Sequence, residues 1–317
     1  MTTPDYPTPD YPTPDYPKLA PETLLRKLQH PGRPVRMVLD TDTFNEIDDQ
    51  FAVIYALLSP ERVQLEACYA APFYNTMSDS PQDGMEKSYR ELLRIREVMG
   101  RDDLPVYSGS TMYLPAADQP VESEAARDLV RRAMASEPSD PLYVVGIAAL
   151  TNIASAILLE PRIVERIVVV WLGGHAFHWP DTHEFNLAQD VHAARVLFDC
   201  GAPVILAPCM GVASHLQTTL SELADYARDT GEAGRYLYET YEACASDHYG
   251  YSRIIWDLAA IAWLVEPQWC PSELVPSPRI SDEVQWLAGD ASRHPIRYIR
   301  YLHRDAVFQD LFRKLAL

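Results

Sequence analysis

Residues 38–49 read Val-Leu-Asp-Thr-Asp-Thr-Phe-Asn-Glu-Ile-Asp-Asp. An apolar run ends here, five carboxylates follow within ten residues, and a second apolar run begins at Phe51. Two like charges at about 4 Å and an effective dielectric of about 20 repel by roughly 4 kcal/mol. A fold keeps such a cluster only if a proton, a cation or distance offsets the repulsion. Side chains two apart on a strand share a face, so a strand ending at Leu39 aims Asp40 and Asp42 the same way. Capping and the helix dipole favour an aspartate at a helix start, which accounts for Asp49 and, beside it, Asp48. They do not account for Asp40 and Asp42. A hard divalent cation with oxygen ligands accounts for all four; a solvated acidic loop is the alternative.

Outward from this stretch the chain alternates strand and helix. Apolar runs predict strands at 35–39, 63–70, 105–107, 142–145, 167–171 and 204–207. Amphipathic or apolar stretches predict helices at 49–58, 80–99 (closed by Gly100), 123–135 (with Ser123 as N-cap), 152–159 and 192–199, and then at 220–228, 234–243 and 254–265. Strands apolar on both faces, alternating with helices, predict an α/β fold: a doubly wound, mainly parallel, Rossmann-like sheet flanked by helices. Binding crevices in such sheets lie at the carboxyl ends of the strands. The loops after Leu39, Ala70, Val145 and Trp171 are therefore expected to meet.

Thr-Pro-Asp-Tyr-Pro occurs three times in tandem, at 3–7, 8–12 and 13–17. A proline-rich pentamer neither continues a helix nor pairs as a central strand. Residues 1–17 therefore read as an extended, mobile arm, either functionless or docking on a neighbouring subunit through its tyrosines, and 18–317 as one domain. The formal net charge of −18 argues against nucleic acid and anionic membranes as partners. No apolar run reaches the roughly 18 residues of a membrane span, and the N-terminus has no signal-peptide pattern. Five scattered cysteines without a CxxC pair fit reduced thiols in a cytosol, so a cytoplasmic location is expected.

An apolar strand followed by Asp-x-Asp-x-Thr resembles the first motif of haloacid dehalogenase-like phosphatases, which are Mg²⁺-dependent. The later lysine and acidic pair of that family have no convincing counterpart. Asp-x-Asp, a short loop, then Asp-Asp and an apolar helix resembles the N-terminal signature of the nucleoside hydrolases. Four further segments agree in order: APFYN at 71–75, VVGIAALTNIA at 144–154, WLGGHAFHWPDTHEFNLAQD at 171–190 and IIWDLAAIAWLVEP at 254–267. They resemble that family's second strand end, its Gly-Pro-Leu-Thr-Asn block, its Gly-Gly loop before Glu-Phe-Asn, and its late His-Asp helix.

The resemblance implies Ca²⁺-dependent hydrolysis of the N-glycosidic bond of ribonucleosides. It makes Asp42, Asp49 and Asp257 side-chain ligands of the cation, with the Val145 carbonyl as a fourth. It assigns the ribose hydroxyls to Asp48, Asn75, Glu184 and Asn186, a supporting position behind the metal loop to Asp40, and general-base work to Asp42. It also implies a small nucleoside as substrate and a homodimer or homotetramer. Three departures from the family pattern stand out. The loop 43–47 is two residues longer than usual, and Asn45 and Glu46 either reach the site or cap the loop. His178 stands where many members carry Asn; it either contacts the 5′ side of the ribose or sits in a surface loop. Trp256 replaces a histidine thought to protonate the leaving base. An indole has no titrating proton, and the purine-specific branch carries tryptophan here, so purine preference is expected unless Trp256 merely packs. The segment 245–253 reads as a lid, with Asp247, His248, Tyr249 and Arg253 as leaving-group contacts, or as a plain loop. A phosphatase, or a riboside binder without turnover, are the competing functions.

Overall fold

The computed structural model describes residues 15–287 and 289–317. Most of the expected mobile arm lies outside these residues. Its last described part, Asp15 to Pro17, runs along the body, and Tyr16 packs against core residues.

The strands are β1 (Val35–Thr41), β2 (Val63–Ala70), β3 (Val106–Ser108), β4 (Leu142–Gly146), β5 (Ile167–Leu172), β6 (Val204–Ala207), β7 (Gln217–Thr218), β8 (Arg253–Ile254), β9 (Ser272–Pro276), β10 (Arg279–Ile280), β11 (Trp286–Leu287) and β12 (Pro295–Ile299). The helices are α1 (Pro21–Lys27), α2 (Asp48–Leu57), α3 (Pro81–Val98), α4 (Glu124–Met134), α5 (Thr151–Leu159), α6 (Phe185–Gln189), α7 (Val191–Asp199), α8 (Leu220–Tyr226), α9 (Glu232–Ala243), α10 (Leu258–Val265) and α11 (Arg304–Leu315). The main sheet has the order β3-β2-β1-β4-β5-β6-β12-β9. All its pairings are parallel except that of β9 with β12.

Alternation along the strands explains the double winding. Met37, Leu39, Val145, Val168 and Val170 face one side, against α2 and α10. Val38, Val144, Val169 and Trp171 face the other, against α4, α5 and α7. Burial on both faces is why these strands read as unbroken apolar runs. The strand order reverses between β1 and β4, and a crevice opens at the carboxyl ends of the strands beside such a reversal.

Local chemistry sets the ends. The Ser123 hydroxyl accepts from Ala126 N–H at 3.1 Å and caps α4, as expected. Gly100 closes α3 with φ +60°. Three expectations shift. β1 runs two residues further, so Asp40 lies inside the strand and Asp42 just beyond it. The helix expected at 254–265 starts only at Leu258, because Arg253–Ile254 pair with β7 and Ile255 N–H donates to Leu216 carbonyl at 2.8 Å. The last fifty residues, left unassigned from sequence, complete the sheet through β9 and β12 and cover it with α11.

Candidate active site

A cavity of about 210 Å³ opens at the carboxyl ends of the strands. Five segments build it: the β1–α2 loop, Ile147 after β4, the β5–α6 loop, Cys209 and Met210 after β6, and Trp256-Asp257 before α10. Six carboxylates line it: Asp42, Glu46, Asp48, Asp49, Glu184 and Asp257. Asp42, Asp48, Asp49 and Asp257 are each at most 4% exposed.

The β1–α2 loop aims its acids by backbone geometry. Asn45 N–H donates to Asp42 carbonyl at 2.9 Å, and Phe44 takes φ +107°, a region that costs a side-chain-bearing residue strain. The extra residues thus turn back over the cavity. Asp48 and Asp49 form the first turn of α2, and neither is its cap; the cap position is Ile47, without a side-chain bond. The dipole still favours carboxylates there. The Thr41 hydroxyl donates to Asp49 and fixes its rotamer.

Asp40 and Asp42 do not share a destination, although they are two apart. Asp40 turns to α5, where Asn152 Nδ2 donates to its Oδ1 at 2.7 Å. Asp42 lines the cavity. The physical reason is that β1 ends between them, so strand alternation no longer governs Asp42.

Burial shifts Asp40, Asp42, Asp48, Asp49 and Asp257 upward. Burial pushes Asp42 well above the usual carboxylate range, with Asp49 and Asp48 adding repulsion. Asp48 and Asp257 are pushed well up for the same reasons. Burial raises Asp49 to about 7, against the pull of the Thr41 hydrogen bond, and raises Asp40 to about 7. Buried acids that repel one another call for a cation or protons. The donor set fits a hard cation: Asp48, Asp49 and Asp257 each bring a carboxylate oxygen within 4.8 Å of the others. Asp42 Oδ2 is buried beside them without a hydrogen-bond partner. The oxygen-only chemistry suits Ca²⁺ or Mg²⁺.

On the far side, Gly174 adopts φ +67°, which favours glycine, and its N–H donates to Glu184 Oε2 at 2.8 Å. Glu184 also accepts from Asn186 N–H and Leu187 N–H, at 2.8 and 3.0 Å, and so caps α6. Burial raises Glu184, while these donors pull it back. Asn186 Nδ2 donates to Leu172 carbonyl at 3.1 Å. Both side chains line the cavity with Trp256, which is half-buried.

Other residues singled out from the sequence sit elsewhere. Val145 lies inside β4, in register with Leu39 and Val170, and the lining residue of that strand end is Ile147. Asn75 reaches the site only through Asn45, donating to its Oδ1 at 2.5 Å. His178 is exposed outside the lining, whereas His175 and His183 of the same loop line the cavity. Asp247, His248 and Tyr249 do not line it; Tyr249 is fully exposed, and His248 Nε2 lies 3.0 Å from Glu242 carbonyl. Arg253 ties its segment to the metal loop, donating to Glu46 Oε2 at 2.9 Å. Sequence reasoning missed His175, His183, Cys209 and Met210. The strand-end rule that found the other loops also points to the loop after β6, where Cys209 lies.

Comparison with known proteins agrees with this geometry. Residues 37–296 match the family model described as inosine-uridine preferring nucleoside hydrolase. The pyrimidine-specific ribonucleoside hydrolase RihA of Salmonella typhi is 25% identical over 262 residues, spanning 73% of this chain and 80% of the relative. RihA of Escherichia coli O7:K1 is 27% identical over 195 residues, 54% of this chain and 59% of the relative. Among solved structures, a plant nucleoside hydrolase, PpNRh1, superposes with TM-score 0.73 at 21% identity, covering 89% of this chain and 99% of that one. The purine-preferring ribonucleoside hydrolase from Gardnerella vaginalis gives 0.69 at 22% identity, covering 89% and 98%. These structural likenesses show the fold, and the family model spans all five segments of the cavity. The chain belongs to the inosine-uridine preferring nucleoside hydrolase family, and it is an N-glycosyl hydrolase acting on ribonucleosides.

Proposed function

We propose that this hydrolase depends on Ca²⁺ and prefers purine ribonucleosides. The carrying observation is that Trp256 and Asp257 line the same cavity as Asp42, Asp48 and Asp49. By family analogy Asp42, Asp49 and Asp257 hold the cation in this reading, with a backbone carbonyl from the end of β4 at Val145, whereas the carboxylates that gather within 4.8 Å of one another are Asp48, Asp49 and Asp257. Bound there, Ca²⁺ would supply the positive charge that acidifies a neighbouring water. Asp42 is the general base, and its unpartnered Oδ2 is free to take that water's proton. Asp48 grips the ribose diol, Glu184 and Asn186 hold the remaining hydroxyls, and Asn75 steadies the loop through Asn45. Asp40 and Asn152 fix the end of β1 behind the metal loop. Charge on the ribose develops as the C1′–N bond stretches, and the buried carboxylates stabilise it.

The indole of Trp256 offers a stacking face wide enough for a purine. The pyrimidine-specific relatives favour the opposite preference and supply the second reading. Ribose release from inosine, adenosine, guanosine, uridine and cytidine, with Ca²⁺ or with chelator, separates the two. Calcium-dependent release that is faster from purines and absent in Asp42→Ala supports the proposal. Faster pyrimidine release overturns the preference, and undiminished release in chelator overturns the metal. The same reading has the enzyme in the cytosol as a homodimer or homotetramer, which light scattering of the purified protein tests.

A further inference from the structure

The tandem repeat takes no part in the reading of the cavity, yet its last copy shows where the unit binds. Of Thr13-Pro14-Asp15-Tyr16-Pro17, the described residues Asp15 to Pro17 line a groove of about 640 Å³, separate from the cavity. Tyr16 packs against core residues. The rest of the lining comes from the segment after Pro17, from Asp199 to Gly201 ahead of β6, from Ser292 to His294 ahead of β12, and from Arg279 of β10.

In a chain of net charge −18 this groove gathers cations: Lys18, Arg279 and Arg293 line it against the acids Asp15 and Asp199. Arg293 is engaged, donating to Asp199 Oδ1 and to the carbonyls of Phe198 and Ser277, each at 2.7 Å. Arg279 is not. Its ion pair with Asp290 is long, at 3.7 Å, and its Nε is buried without a hydrogen-bond partner among the described residues. His294 Nε2 is likewise buried and unpartnered. Buried polar atoms call for partners, and a charged group left without one is the costliest case.

The repeat ahead carries the matching chemistry. Residues 1–17 hold three aspartates and no lysine or arginine. Thr8–Pro12 copies the seated unit residue for residue, with a carboxylate at Asp10 to accept from Arg279 and a phenol at Tyr11, which both donates and accepts, for His294. Five residues in polyproline II geometry span about 16 Å. A tether that short gives a roughly millimolar effective concentration, well above that of a second copy of the chain in dilute solution. Proline also fixes φ beforehand, which lowers the entropy lost on docking. The ribbon that bears Arg279 leads to the cavity: Trp286 Nε1 donates to His175 carbonyl at 2.8 Å, and Val284 carbonyl accepts from Thr182 N–H at 3.2 Å.

We propose that the second repeat, Thr8–Pro12, docks in this groove of its own chain, with Asp10 on Arg279 and Tyr11 on His294, and so braces the β10–β11 ribbon. The test places the photo-cross-linker p-benzoylphenylalanine at position 11 of the full-length chain and irradiates an equal mixture of isotopically labelled and unlabelled protein. Mass spectrometry should find cross-links into residues 279–294 within one chain, falling at least fivefold in Arg279→Gln, whose fold circular dichroism confirms. Hydrogen exchange gives a readout without the probe. Amides of residues 279–287 should exchange at least fivefold faster when Asp10→Asn and Tyr11→Ala are combined, with the amides of β1, β4 and β5 unchanged. Asp5→Asn with Tyr6→Ala, the same change in the first repeat, should leave the ribbon as in wild type. Cross-links between labelled and unlabelled chains overturn the proposal in favour of a second copy's arm. Cross-links to other segments, no cross-links, or cross-links indifferent to Arg279→Gln overturn it as well. So does ribbon exchange that the second repeat leaves unchanged or that the first repeat alters equally.

Discussion

Asn152→Ala removes a junction on which the end of β1 depends. Asn152 is fully buried at the start of α5. Its Nδ2 donates to Asp40 Oδ1 at 2.7 Å, and its Oδ1 accepts from Ser110 N–H and Ser110 Oγ at 2.7 and 2.8 Å. One side chain thus joins α5 to β1 and to the loop after β3. Truncation leaves these three buried polar groups, and the Ala70 carbonyl that also accepts from Nδ2 at 3.3 Å, without this partner. The bond to the carboxylate is worth about 1.5–3 kcal/mol, and each Ser110 group left unsatisfied costs about 1 kcal/mol or more. Asp40 Oδ2 is already without a partner, so no second bond compensates. The sum is about 4 kcal/mol, against a total stability of roughly 5–15 kcal/mol for a folded protein. Urea denaturation in Ca²⁺-saturated buffer, followed by far-UV circular dichroism, reads it as a fall in midpoint at constant slope. A loss below about 1 kcal/mol would refute the reasoning, because water or a protonated Asp40 would then satisfy the junction equally well.

Four other outcomes are expected. Asp257→Asn removes one of three oxygens gathered for a cation; wild type should gain about 2.7 kcal/mol from Ca²⁺ at a hundredfold excess over Kd, and the variant much less, read as melting-temperature shifts with and without chelator. Trp256→Ala should lose about 1–3 kcal/mol of base stacking, seen as a roughly 10- to 100-fold rise in KM for purine nucleosides with a smaller change for pyrimidines. Arg253→Ala breaks a partly exposed ion pair and should change stability by less than about 1 kcal/mol, while altering KM by releasing Glu46. His294 is held to about 4 by burial, with Arg293 adding repulsion. Its folded pKa lies below the unfolded value near 6.5, so its neutral form contributes full stability above about pH 6.5 and loses it as pH falls toward 4. Compared with His294→Gln, wild type should lose about 2 kcal/mol of relative stability between pH 7.5 and pH 4.5, measured by urea denaturation at both values.

Much of the architecture was legible because burial on both sheet faces leaves a one-dimensional trace. Val144-Val145 and 167–171 read as strands since neither face meets water. Caps were legible for the same local reason, as Ser123 illustrates. The closing strands were not. β9 is an edge strand with Glu273 and Leu274 exposed, and β12 alternates apolar with polar side chains, so neither carries the buried-strand signature.

Within the site, spacing alone determined that Asp42, Asp48 and Asp49 lie at a strand-to-helix junction, since strand and helix periods leave them no other place. Pattern likewise put Glu184 and Asn186 on the loop after a strand end, whereas it put Trp256 and Asp257 in the first turn of a helix that begins only at Leu258. Only the tertiary structure decided which side chains converge. Asp40 turned to Asn152 because β1 ends one residue later, whereas Asp42, freed from the pleat, turned into the cavity. His175 and His183, rather than His178, line the cavity. Cys209 entered through a loop after β6, and Glu46 met Arg253 across 207 residues of chain. Local periodicity constrains where a backbone runs; long-range packing, which no short window of sequence contains, determines what each side chain faces.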